Sequence, residues 1–202
     1  FACTRWVAMA KLGLDEGRPV IVSFWGSLGA AVMNRQMAEF LALEAGDGVP
    51  FHHIHGAGTV GCRQMGTYLA QAGADLEKAP GLEVREYIHD MGTLMRAADL
   101  VICRAGASTI SELTALGVPA IIVPSPNVAG DHQTYNARVL ADAGGAVMIP
   151  EKDSSGRLLY DTARAILTDD SRRRAMAQAM ASLGTVDAAE KIYSAVMALR
   201  RR

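Results

Sequence analysis

Apolar residues along the chain fall into short runs separated by stretches of helical period. Val20–Phe24, Phe51–His55, Leu82–Ile88, Leu100–Cys103, Ala120–Val123 and Ala146–Ile149 read as strands. Short apolar runs of this kind suit parallel strands buried on both faces. Helical spacing covers Thr4–Leu12, Val32–Ala45, Cys62–Ala72, Met91–Ala98, Ile110–Leu116 and a segment from near Gln133. Three further helices are predicted at about Ser155–Leu167, Ser171–Ala181 and Val186–Leu199. Alternation of strand and helix implies an α/β fold, a doubly wound parallel sheet with right-handed crossovers. The expected strand order is 3-2-1-4-5-6, which places ligands outside the carboxyl ends of strands one and four.

The stretch from Leu100 to Asn136 organises the rest. An apolar run ends abruptly in Arg104-Ala-Gly-Ala-Ser-Thr109, and a helix follows, closed by Gly117 and Pro119. Gly106 lets the backbone pass close to a ligand. Ser108 or Thr109 can cap the helix, leaving its first N–H groups facing the loop, where the helix dipole favours a phosphate. Glu112 lies one turn further on the same face. A carboxylate there would repel a phosphate but suits a vicinal diol such as a ribose. The same residues also suit a plain helix start, with Glu112 completing a capping box.

Trp25-Gly-Ser-Leu-Gly-Ala30 is the other loop at the switch point. Gly29 permits a sharp turn, and Ser27 with the following N–H groups could hold a phosphate or a sugar hydroxyl. His55-Gly-Ala-Gly58 is a second glycine-rich strand end on the same rim.

Composition narrows the function classes. Of 202 residues half are apolar, enough for a sizeable core, and a chain of this length forms one domain or one plus a helical tail. Expected boundaries are a short helical linker over 1–18, the sheet domain over 19–183, and a terminal helix with basic tail over 184–202. The formal charge is −1 and aromatics are 5%, so neither a polyanion surface nor base-stacking platforms are implied, and no nucleic-acid partner is expected. Cys3, Cys62 and Cys103 are widely spaced, which suggests reduced thiols in a cytoplasmic protein and no structural zinc site. His52, His53 and His55 raise a metal reading, but no other ligand follows at suitable spacing. No long apolar segment is present. Arg200-Arg-Arg202 is a basic cluster that could touch anionic lipid. Phe1 is not a natural start, so the chain reads as an excised or processed piece.

Three ordered motifs carry a family resemblance. ICRAGASTISELTALGVPAIIVPSPNVAGDHQTYNA, SFWGSLGA and EYIHDMGTLMRAADL resemble the MurG family, from about Lys11 to the C-terminus. The resemblance covers the family's C-terminal half and not its N-terminal acceptor domain. It implies a Rossmann-like six-stranded sheet, one half of a GT-B glycosyltransferase. The implied activity is inverting transfer of N-acetylglucosamine from UDP-GlcNAc to a lipid-linked muramyl-pentapeptide, with no cofactor and no required metal. It also implies peripheral work at the cytoplasmic face of the plasma membrane.

By the same resemblance, Tyr87 stacks on the nucleobase, the Ile88 backbone bonds the uracil edge, and His132 and Gln133 read the donor sugar. Arg104 either faces the diphosphate or forms an ion pair that fixes its loop, and Asn136 braces it. Trp25 stands where the family has glycine, which bears on the loop's shape. The general base is expected on the acceptor domain, so this half alone should bind UDP-GlcNAc weakly and transfer nothing. The alternatives are a stand-alone nucleotide-sugar-binding subunit of a split transferase, a glycolipid transferase, or a UDP-sugar epimerase domain.

Overall fold

The computed structural model describes residues 4–26 and 29–200. Its centre is a six-stranded, wholly parallel sheet in the order β3-β2-β1-β4-β5-β6. The strands are β1 (Val20–Phe24), β2 (His52–Gly56), β3 (Leu82–Arg85), β4 (Leu100–Cys103), β5 (Ala120–Ile122) and β6 (Ala146–Met148). The helices are α1 (Arg5–Leu12), α2 (Ala31–Gly46), α3 (Thr59–Ala72), α4 (Met91–Ala97) and α5 (Ala107–Leu116). They continue with α6 (His132–Asp142), α7 (Gly156–Leu167), α8 (Asp170–Ser182) and α9 (Ala188–Arg200).

Both faces of the sheet are covered, as the near-continuous apolar strands require. Alternate strand residues divide between two cores. Ile21, Leu100, Ile102 and Ile121 pack with α2, α3 and α7, centred on Phe40 and Tyr160. Val20, Val22, Val101 and Ile122 pack with α1, α4, α5 and α6, around Met9, Leu94 and Leu113. Helix α8 closes the edge, giving Met176 to the first core and Met180 to the second.

Helix α1 belongs to this body, since its Ala8 and Met9 are buried in the second core. By contrast, Ile192, Tyr193, Val196 and Leu199 of α9 are all exposed. The predicted strand Leu82–Ile88 stops at Arg85. Its partner β2 ends opposite, Gly56 against Arg85, and the pairing closes with the Ala57 N–H donating to the Arg85 carbonyl. Glu86, Tyr87 and Ile88 are therefore a loop. Phe1 to Cys3, Ser27, Leu28, Arg201 and Arg202 lie outside the described residues, so the expectations placed on Cys3, Ser27 and the basic tail do too.

Candidate functional site

The histidines of β2 serve the interior. His53 and His55 are fully buried and both contact Ser23 Oγ at 2.8 Å, while His52 pairs with Asp15 at 2.7 Å. Among the described residues no group of three or more His, Cys, Asp or Glu side chains is placed to hold a metal. Cys103 is buried, which pushes its thiol up to about 12 and leaves it a small apolar residue of β4.

At the carboxyl rim of the sheet, helix starts differ by position. The helices that follow edge strands β3 and β6 are capped by side chains. Asp90 accepts from the Thr93 N–H, and Ser155 from the Leu158 N–H. The helices that follow the four inner strands have no side-chain cap: α2 after Ala30, α3 after Gly58, α5 after Gly106 and α6 after Asp131. Among the described residues, helix starts without side-chain caps and the positive ends of four dipoles thus gather over the middle of the rim.

This corrects the expected cap of α5. The cap residue is Gly106, and α5 begins at Ala107. Ser108 and Thr109 lie inside the first turn, and their N–H groups face out of the helix end. Glu112 is too far along to complete a capping box, so its carboxylate is not explained by helix termination. Gly106 itself is extended at φ −68°, and a Cβ there would meet nothing nearer than Thr109 Oγ1 at 3.9 Å. Internal contacts therefore do not demand glycine at 106.

Gly29 is the opposite case. Its φ is +76°, and a Cβ would fall 2.1 Å from the Ala57 carbonyl oxygen. Glycine is required there because the β1–α2 turn is pressed against the β2–α3 turn.

A cavity of about 200 Å³ opens at the carboxyl ends of β1 and β2. Gly26, Gly58, Glu86, Tyr87, Ile88 and Glu112 line it, with Phe24, Gly56 and Met91 at its floor and wall. Tyr87 is half exposed, with the His89 ring at 5.0 Å. Ile88 is buried and its side chain packs against Gly56, so only its backbone is available to a ligand. Among the described residues neither the Ile88 N–H nor its carbonyl has a hydrogen-bond partner. Glu112 reaches the same cavity from α5, across the switch point. Sequence reasoning missed Glu86. It stood inside the predicted strand and became a cavity residue only when that strand ended early.

Beside the cavity, side chains lock the β4 and β5 loops together. Gln133 Oε1 accepts from the Ala105 N–H at 3.3 Å and the Ser125 N–H at 2.9 Å. Asn136 Nδ2 donates to the Ala105 carbonyl at 3.1 Å. The Ala105 backbone is therefore held on both sides, and among the described residues the Gln133 amide NH2 has no partner. Arg104 is committed to the fold: it donates to the carbonyls of Val123 and Pro124 and pairs with Glu151. Its guanidinium lies 5.8 Å from the centre of the Trp25 ring. Trp25 is itself buried in the first core and does not line the cavity. His132 is exposed, and its Nδ1 donates to the Ala129 carbonyl at 2.9 Å, away from the cavity lining.

Comparison with known proteins agrees with this architecture. UDP-N-acetylglucosamine--N-acetylmuramyl-(pentapeptide) pyrophosphoryl-undecaprenol N-acetylglucosamine transferases resemble the chain over most of its length. That of Acetivibrio thermocellus is 39% identical over 193 residues, 96% of this chain and 51% of the relative. That of Salinibacter ruber is 42% identical over 200 residues, 96% of this chain and 50% of the relative. The chain thus spans about half the length of these relatives. The crystal structure of Acinetobacter baumannii MurG superposes with a TM-score of 0.77 at 26% identity, covering 96% of this chain and 53% of that one. A Listeria monocytogenes protein described as a putative UDP-N-acetylglucosamine 2-epimerase shares the fold, with a TM-score of 0.68 at 16% identity over 94% of this chain and 46% of that one. Residues 20–192 match the glycosyltransferase family 28 C-terminal domain, and the chain belongs to that family.

Proposed function

We propose that this chain is the donor-binding half of an inverting N-acetylglucosaminyltransferase that takes UDP-GlcNAc and builds a lipid-linked disaccharide-pentapeptide. One observation carries the reading: Tyr87 and the Ile88 backbone face Glu112 across a single cavity, beside uncapped helix starts. An aromatic face and an unpartnered backbone edge suit a nucleobase. Glu112 suits the ribose diol, and two carboxylates in the lining, Glu86 and Glu112, steer the diphosphate out toward the helix N-termini. The Gln133 amide NH2, fixed by its carbonyl's two bonds, is oriented to donate to a sugar hydroxyl.

In the reaction the acceptor hydroxyl attacks the anomeric carbon, the bond to the β-phosphate oxygen breaks, and UDP departs. Negative charge grows on the leaving diphosphate. The N–H groups at the starts of α2 and α5 stabilise that charge, and they are already oriented before reaction. The base that takes the acceptor proton belongs to the acceptor-binding half. The lipid-linked acceptor places the work at a membrane surface, which α9 does not cross: among the described residues no helix is long and apolar enough to span a bilayer.

Tyr87→Ala tests the base assignment. Stacking on an aromatic ring contributes ~1–3 kcal/mol, so UDP affinity by calorimetry should fall by about 5- to 150-fold. Unchanged affinity would remove Tyr87 from the site.

A further inference from the structure

Five polar side chains lie in a row inside the first core, each fully buried: Glu44, His53, Ser23, His55 and Asn34. Glu44 and Asn34 come from α2, His53 and His55 from β2, and Ser23 from β1, where it lies directly beside His55. Glu44 Oε2 meets His53 Nδ1 at 2.8 Å, and His53 Nε2 meets Ser23 Oγ at 2.8 Å. Ser23 Oγ meets His55 Nδ1 at 2.8 Å, and His55 Nε2 meets Asn34 Oδ1 at 3.2 Å. Asn34 Nδ2 then donates to the Ala57 carbonyl at 2.8 Å.

The far end of the row, together with a neutral His55, fixes the protons from His53 to Ala57. A carbonyl only accepts, so Asn34 presents its NH2 to Ala57 and its oxygen to His55. His55 must therefore carry its proton on Nε2 and leave Nδ1 bare. Burial, aided by the charge of His53, pushes the pKa of His55 down to about 3, in keeping with a neutral ring. The Ser23 hydroxyl has one proton, which goes to His55 Nδ1, so Ser23 accepts from His53 Nε2–H. One further proton then lies between His53 Nδ1 and Glu44 Oε2. The four bonds from His53 to Ala57 all donate in the same sense, toward Ala57.

Ala57 lies between two glycines of the cavity, Gly56 and Gly58, and its carbonyl oxygen occupies the space a Gly29 side chain would need. We propose that Ser23, His55 and Asn34 are positioning residues: through this one-way row they hold the Ala57 carbonyl against Gly29 and so fix where Gly29 sits beside the donor site. The proposal rests on the donor-site reading above. No member of the row touches the cavity, so its effect on a ligand passes through Ala57 and Gly29.

Two measurements test it on the intact chain. The first is nitrogen-15 NMR of the histidine rings in the unaltered protein. His55 should show a protonated Nε2 and a bare Nδ1, with His53 protonated at Nε2. A His55 proton on Nδ1 would overturn the row, whatever ligand is bound. The second is calorimetry with UDP-GlcNAc on Asn34→Asp and Ser23→Ala, alongside the amide signals of Gly29 and Gly58. Asn34→Asp removes the donation to Ala57 and Ser23→Ala removes both bonds to the histidines behind it, and each should weaken binding by about tenfold and move both amide signals. Wild-type affinity in either folded variant would overturn the positioning role. If the unaltered chain does not bind UDP-GlcNAc, the donor reading fails and the positioning claim with it, while the histidine spectra still decide the proton arrangement.

Discussion

Buried histidine makes this fold sensitive to acid. His55 has a folded-state pKa of about 3 against an ordinary value of 6.5. Between those values the unfolded chain binds a proton that the folded chain does not. Stability therefore rises with pH through this window, by up to about 1.4 kcal/mol per pH unit, and the contribution is complete above about pH 6.5. Denaturant unfolding at pH 7 and pH 5 should differ by ~2 kcal/mol, and His55→Asn should flatten that difference. A flat profile in the unaltered chain would contradict the buried neutral ring. Arg104 makes a second residue-scale case. Removing it strands two carbonyls and the Glu151 carboxylate, so Arg104→Ala should lower unfolding free energy by ~1–3 kcal/mol. Arg104→Lys should restore little, because an ammonium lacks the planar fork that reaches three acceptors. Alternation along β2 puts His53 and His55 on one face, but does not give their partners. Ser23 is 30 residues from His53 and Glu44 lies on a different element, and only the pairing of β1 with β2 and the packing of α2 bring them together.

At the scale of elements, the contrast between capped and uncapped helices carries the site. Thr4, Asp90, Ser155 and Asp169 each cap a helix away from the middle of the rim. An N-cap is a short-range feature, yet the expected start of α8 at Ser171 passed over Asp169. The start of α5 was misread for the same local reason: Ser108 and Thr109 are good caps by type, yet the helix begins before them. The two switch-point glycines should separate by experiment. Gly29→Ala meets both a positive φ and the Ala57 carbonyl, and should destabilise the fold by at least about 2 kcal/mol. Gly106→Ala has room in the free protein and should change stability by less than about 1 kcal/mol while weakening UDP binding. A Gly106→Ala protein that binds normally would show that the α5 turn does not approach a ligand.

For the whole molecule, strand order follows from alternation and handedness, which is why 3-2-1-4-5-6 could be read before any coordinates. The family followed from three motifs in register. What could not be read was which loops meet. Glu112 is 24 residues from Ile88, and their common cavity exists only because β1 lies between β2 and β4. The central claim is that this cavity recognises a uridine nucleotide through Glu112 and the Tyr87–Ile88 loop. Calorimetric titration with UDP-GlcNAc, UDP-glucose and ADP-glucose, repeated on Glu112→Ala, tests it directly. The account predicts clear preference for the uridine nucleotides and a loss of about tenfold in their affinity on removing the carboxylate. Equal binding of ADP- and UDP-sugars, or no effect of Glu112→Ala, would contradict it.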